Sequence, residues 1–64
     1  MVRVIQTRRD REKVRAIIVA GIGLVGKGVD MNVKSRRNGD VVFKFTYPAR
    51  FQHDIDEALG GIEL

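Results

Sequence analysis

Cysteine does not occur in this 64-residue chain, and histidine and proline occur once each. Without cysteine no disulfide framework can staple the fold, and a zinc site would lack its usual thiolate ligands. With His53 as the sole imidazole, a metal cage would have to be built mostly from carboxylates, so neither a metal nor another cofactor is expected. A nucleophile and base pair is equally hard to assemble from Thr7, Ser35, Thr46, Tyr47 and one histidine. His53 reads as a surface residue on the polar side of a helix, and Asp54, Asp56 and Glu57 as a solvated helix face. No enzymatic activity is expected.

Long apolar runs are also missing. The longest, residues 16–26, has 11 residues, where a spanning helix needs about 20. It follows a charged segment, which suits a helix of a water-soluble domain better than a secretory signal, and a cytoplasmic location without membrane association is expected. A chain this short forms one domain, residues 1–64, with a marginal core. With disulfides and zinc excluded, assembly into a homo-oligomer is the expected supplement.

Charge is present in quantity and unevenly placed. Residues 1–50 hold all 12 Lys and Arg against four acids, whereas residues 51–64 hold four acids and no Lys or Arg. Such asymmetry implies either that the two signs meet, within or between subunits, or that a basic face is left for an anionic partner.

Periodicity sets out the elements. Residues 2–7 (VRVIQT) are β-rich, with Val2 and Val4 on one face. Asp10 offers an N-cap with Glu12 in the first turn, and Val14, Ile17, Ile18, Ile22 and Val25 then share one helical face up to Lys27 and a terminating Gly28. Three glycines inside that segment weigh against a helix, so a strand over residues 13–20 leading into a glycine loop is the alternative. Asn38-Gly39 between residues 29–36 and 41–47 is a strong hairpin signal. Met31 and Val33 alternate with Asn32 and Lys34, and Val41, Phe43, Phe45 and Tyr47 alternate with Val42, Lys44 and Thr46. Pro48 ends the second strand. A helix over residues 49–59 puts Phe51, Ile55, Ala58 and Leu59 on one face, stops at Gly60-Gly61, and leaves residues 62–64 for a short final strand.

The resulting order is β-α-β-β-α(-β), the α+β pattern of a ferredoxin-like or split βαβ domain, with an antiparallel hairpin over 29–47 and helices on one face of the sheet. The alternative is a four-stranded antiparallel sheet with one C-terminal helix.

Two phosphate-loop patterns overlap at residues 21–27: a GxGxxG at Gly21, Gly23 and Gly26, and a GxxxxGK ending at Lys27. The second lacks the Ser or Thr that would hold Mg²⁺, because Gly28 follows the lysine. The first needs a dinucleotide-binding domain larger than this chain can build. An apolar helix rich in small residues accounts for the segment more simply.

Arginine clusters remain as the functional candidates. Arg8, Arg9, Arg11, Lys13 and Arg15 surround the first connection, and Lys34, Arg36 and Arg37 sit at the hairpin tip with Lys44 nearby. Arginine outnumbers lysine eight to four, and its planar fork suits two-pronged contact with phosphate. The aromatic residues fall at core positions and offer no stacking platform. Arg8, Arg9, Arg11, Lys34, Arg36, Arg37 and Lys44 are therefore expected to contact a DNA or RNA backbone. Two other readings stand beside this one. The chain could be a protein–protein interaction module, such as a regulator or inhibitor, or a binder of a phosphorylated small molecule.

Overall fold

The computed structural model of the chain describes residues 1–63. Three antiparallel strands and two helices follow one another as β1 (Val2–Thr7), α1 (Arg11–Lys27), β2 (Asp30–Ser35), β3 (Val41–Thr46), a 3₁₀ turn (Ala49–Phe51) and α2 (Gln52–Glu63). β3 is central. It pairs with β1 in a register that sets Ile5 opposite Phe43, and with β2 in one that sets Val33 opposite the same Phe43. β1 and β2 therefore run parallel to each other as the two edges of the sheet, and no fourth strand occurs among the described residues.

Period-two alternation decides which side of the sheet is buried. Odd-numbered residues turn towards the helices, so Ile5, Thr7, Val41, Phe43, Phe45 and Tyr47 are buried there with Ile17 and Leu24 of α1 and Ile55 and Leu59 of α2. The even-numbered side is open, and Val2 and Val4 share it, both exposed.

Helix, not strand, is the outcome for residues 13–20, which removes the alternative of a four-stranded sheet with a single helix. Both ends of α1 are fixed by side-chain and backbone chemistry. The Asp10 carboxylate accepts from the amides of Glu12 (3.0 Å) and Lys13 (3.4 Å). Gly28, at φ 114°, donates back to the carbonyls of Leu24 and Val25, a left-handed stop that a side chain would strain. The buried face differs from the expected one. Val14, Ile17, Ala20, Gly21 and Leu24 meet the core, while Ile18, Ile22 and Val25 stay exposed. The cause is Gly21, whose missing Cβ lets the helix settle on Met31 and Phe45; a methyl group there would collide with the Met31 sulfur. With α1 apolar on more than one side, close approach rather than side-chain bulk selects the inner face.

The hairpin forms between the expected strands, but with a three-residue loop. The Arg36 amide donates to the Asp40 carbonyl (2.8 Å) and the Gly39 amide to the Arg36 carbonyl (3.0 Å). Gly39 is at φ 92° and Asn38 is not at positive φ, so this is a loop with one left-handed glycine rather than a two-residue type I′ turn. Asn38 holds it by accepting from the Asp40 amide (3.0 Å). Met31 is half-buried and Val33 exposed, because α1 leaves the outer edge of β2 uncovered.

The second helix starts with the 3₁₀ turn and does not stop at the paired glycines. It runs through Gly60 and Gly61 to Glu63, because Ile62, one turn beyond Ala58 and Leu59, continues the apolar stripe onto the core. The final strand expected over residues 62–64 is thus replaced by helix at 62 and 63, and residue 64 lies outside the described residues. No helix among the described residues is long and apolar enough to cross a membrane.

Candidate nucleic-acid interface

Antiparallel pairing brings three chain segments to one end of the sheet. Thr7, the last residue of β1, lies opposite Val41, the first of β3, and Ser35, the last of β2, lies opposite the same Val41. The connection carrying Arg8 and Arg9, the first turns of α1 and the hairpin loop with Arg36 and Arg37 therefore all start from this end. Arg9 spans two of them, its Nη2 donating to the Ser35 hydroxyl at 3.4 Å.

On the helix side of this end, Arg9, Arg11 and Arg15 rim an open depression of about 730 Å³ with Ser35 and the apolar Val14, Ile18 and Val41. Arg11 and Arg15 reach it together because they are four residues apart on α1, and Val14 and Ile18 repeat the same spacing one step round. On the open face of the sheet, Lys34, Arg36 and Lys44 line a second depression of about 350 Å³ with Val4, Asn32 and Val42. The expected site residues thus fall in two groups, Arg9 and Arg11 on the helix side and Lys34, Arg36 and Lys44 on the open side, while Arg8 is exposed in the β1–α1 connection and Arg37 in the hairpin loop. Arg15 and Ser35 belong to the first group although neither was among the expected contact residues. The i, i+4 spacing from Arg11 was the signal for Arg15, whereas nothing local marked Ser35, which is placed by strand register.

Acidic residues are distributed so that this end keeps its charge. Asp56 pairs with Arg3 and also accepts from Gln52 (2.9 Å), and Asp54 lies 3.5 Å from Lys27. Asp56 and Asp54 are therefore engaged with β1 and the far end of α1. Three acids lie near the arginines: Asp10 caps α1, Asp40 accepts from Gln6 (2.9 Å) and Asn38 (3.2 Å), and Glu12 is exposed in the first turn of α1. Among the described residues none of Arg8, Arg9, Arg11, Arg15, Arg36 or Arg37 forms an ion pair within 4.0 Å. His53 is exposed on α2, 3.6 Å from Glu57 and remote from these groups.

The glycine segment forms no loop. Residues 21–27 lie inside α1, where their amides serve the helix ladder and are not available to cradle a phosphate. Phe43, Phe45 and Tyr47 are buried, and Tyr47 donates its hydroxyl to Gln52 (3.0 Å). Comparison of the chain with protein-family models, with curated proteins and with solved structures gives no match.

Proposed function

We propose that this protein binds the phosphate backbone of a nucleic acid through the arginine-rich end of its sheet. The observation that carries the reading is the convergence of Arg9, Arg11 and Arg15 with the Ser35 hydroxyl around one depression, without an acidic partner. Guanidinium groups that no carboxylate occupies keep their paired donors for phosphate oxygens, and a hydroxyl beside them adds a neutral contact of the kind common at nucleic-acid backbones. Arg36 and Arg37 extend the positive surface round the hairpin tip, and Lys44 carries it onto the open face.

With the aromatic rings in the core, recognition through stacked single-stranded bases has no platform, so contact is to backbone and the sequence preference is weak. The β1-β3-β2 arrangement is read as a split βαβ unit without the fourth ferredoxin-like strand, a frame that carries no function of its own.

Fluorescence anisotropy with labelled duplex DNA and single-stranded RNA tests the proposal. The wild-type chain binds at about 50 mM salt, and Arg9→Ala with Arg11→Ala weakens binding to every sequence alike. A protein that ignores both polymers but binds a phosphorylated small molecule in the same depression would replace this reading with the small-ligand one.

A further inference from the structure

We infer that two copies of this chain join along the free edge of β2, antiparallel and in register about a two-fold axis through Asn32. The edge is open for pairing. Arg36 donates to Asp40 across the hairpin, and counting back along β2 by twos turns the amides and carbonyls of Lys34, Asn32 and Asp30 towards β3. Those of Met31, Val33 and Ser35 point outwards. β2 contains no proline, and its regular register with β3 shows no bulge; the protection it does carry is charge, Asp30 and Lys34, which a partner of matching sign pattern neutralises.

Charge complementarity chooses the partner and the register. With Asn32 on the axis, Asp30 lies opposite the partner's Lys34, and the reverse pair repeats it. Met31 lies opposite the partner's Val33, and these are the residues whose backbone groups face outwards, so hydrogen bonding and side-chain matching agree. A one-residue shift would bring inward-pointing amides to the edge and turn the faces over. An isologous contact needs a surface complementary to itself, and Asp30 and Lys34, placed evenly about Asn32, supply one.

The helix above supports the same contact. Ala20, Gly23 and Lys27 of α1 face α2, with Asp54, Glu57 and Ala58 across a shared cleft. On helical spacing Ile18, Ile22 and Val25 lie on the opposite flank, above the β2 edge, and Ile22 is 63% exposed. Val33, beneath, is 46% exposed although it points to the helix side of the sheet. Pairing of the two β2 strands brings these apolar residues towards their equivalents and extends the sheet to six strands. Lys34 then pairs with the partner's Asp30 and drops out of the set free for phosphate, and Ile18 and Ser35, which line the helix-side depression, border the contact, whereas Arg36 and Arg37 follow the end of the strand; the inference rests on the strand edge and its charges and not on the nucleic-acid reading.

Sedimentation equilibrium of the full chain with a charge exchange tests it. The wild type is a dimer at about 100 µM. Asp30→Lys and Lys34→Asp each set like charges opposite one another twice and weaken the dimer by roughly tenfold or more, and the two changes combined restore it. A monomeric wild type, or a double variant no tighter than either single one, overturns the proposal. As a second measurement, Asn32→Cys, the sole thiol in the chain, forms an intermolecular disulfide on mild oxidation, since directly opposed residues of a non-hydrogen-bonded pair lie about 4.5 Å apart at Cα. Faster cross-linking of Val33→Cys than of Asn32→Cys would contradict this register.

Discussion

Arg9 and Ser35, distant in sequence, meet at the end of the sheet with an Nη2 to Oγ separation of 3.4 Å. The bond is long and uses one donor of a group that has five, so it orients the guanidinium without consuming it. It also joins the β1–α1 connection to the last residue of β2, next to the hairpin loop that carries Arg36 and Arg37.

Asp10 fixes the start of α1 and hence the positions of Arg11 and Arg15. Asp10→Ala removes the acceptor for two amides and lowers stability by about 1 kcal/mol. Urea denaturation followed by circular dichroism measures it; an unchanged midpoint would show that the cap is not what anchors the helix.

Gly21 and Gly23, two positions apart on α1, respond differently to alanine. At Gly21 a Cβ meets the Met31 sulfur and, at 3.3 Å, the Phe45 ring, so the Met31 end must turn aside, and Gly21→Ala is less stable than Gly23→Ala by about 1 kcal/mol or more. At Gly23 nothing lies within 4 Å of the added methyl, and Gly23→Ala is neutral or stabilising by up to about 1 kcal/mol. Thermal melts of both variants decide the matter, and equal effects would refute the packing described for α1.

Gly39 holds the hairpin loop at φ 92° with open space around it. Gly39→Val therefore costs about 1 kcal/mol or more through backbone strain alone, since a β-branched residue resists positive φ. If a denaturant titration of this variant overlays the wild-type curve, the loop conformation is wrong.

Both helices, the three strands and the identity of Phe43, Phe45 and Tyr47 as core were readable from periodicity and end signals, because those depend on neighbours in sequence. What escaped reading depends on neighbours in space. Ile18, Ile22 and Val25 match a helical repeat as well as Ile17, Gly21 and Leu24 do, and only the contact of Gly21 with Met31 selects between them. Gly60-Gly61 resembles a stop, yet Ile62 packing on the core carries the helix through. Of the candidate site, the arginines were identifiable from composition and clustering. Their division between the two faces of the sheet, and the addition of Ser35, follow from the register of β2 with β3.

Arg36 and Arg37 provide the most direct measurement of the central claim, because they sit at the exposed hairpin loop and their removal leaves the core untouched. The dependence of log K on log salt is compared for the wild type and for Arg36→Ala with Arg37→Ala, using a labelled DNA duplex and an RNA of unrelated sequence. The account predicts binding by the wild type that falls steeply with salt, and a slope reduced by roughly 1 to 2 in the double variant for both polymers. Absence of salt-dependent binding by the wild type at about 50 mM salt, where counterion release most favours a basic binder, would contradict it.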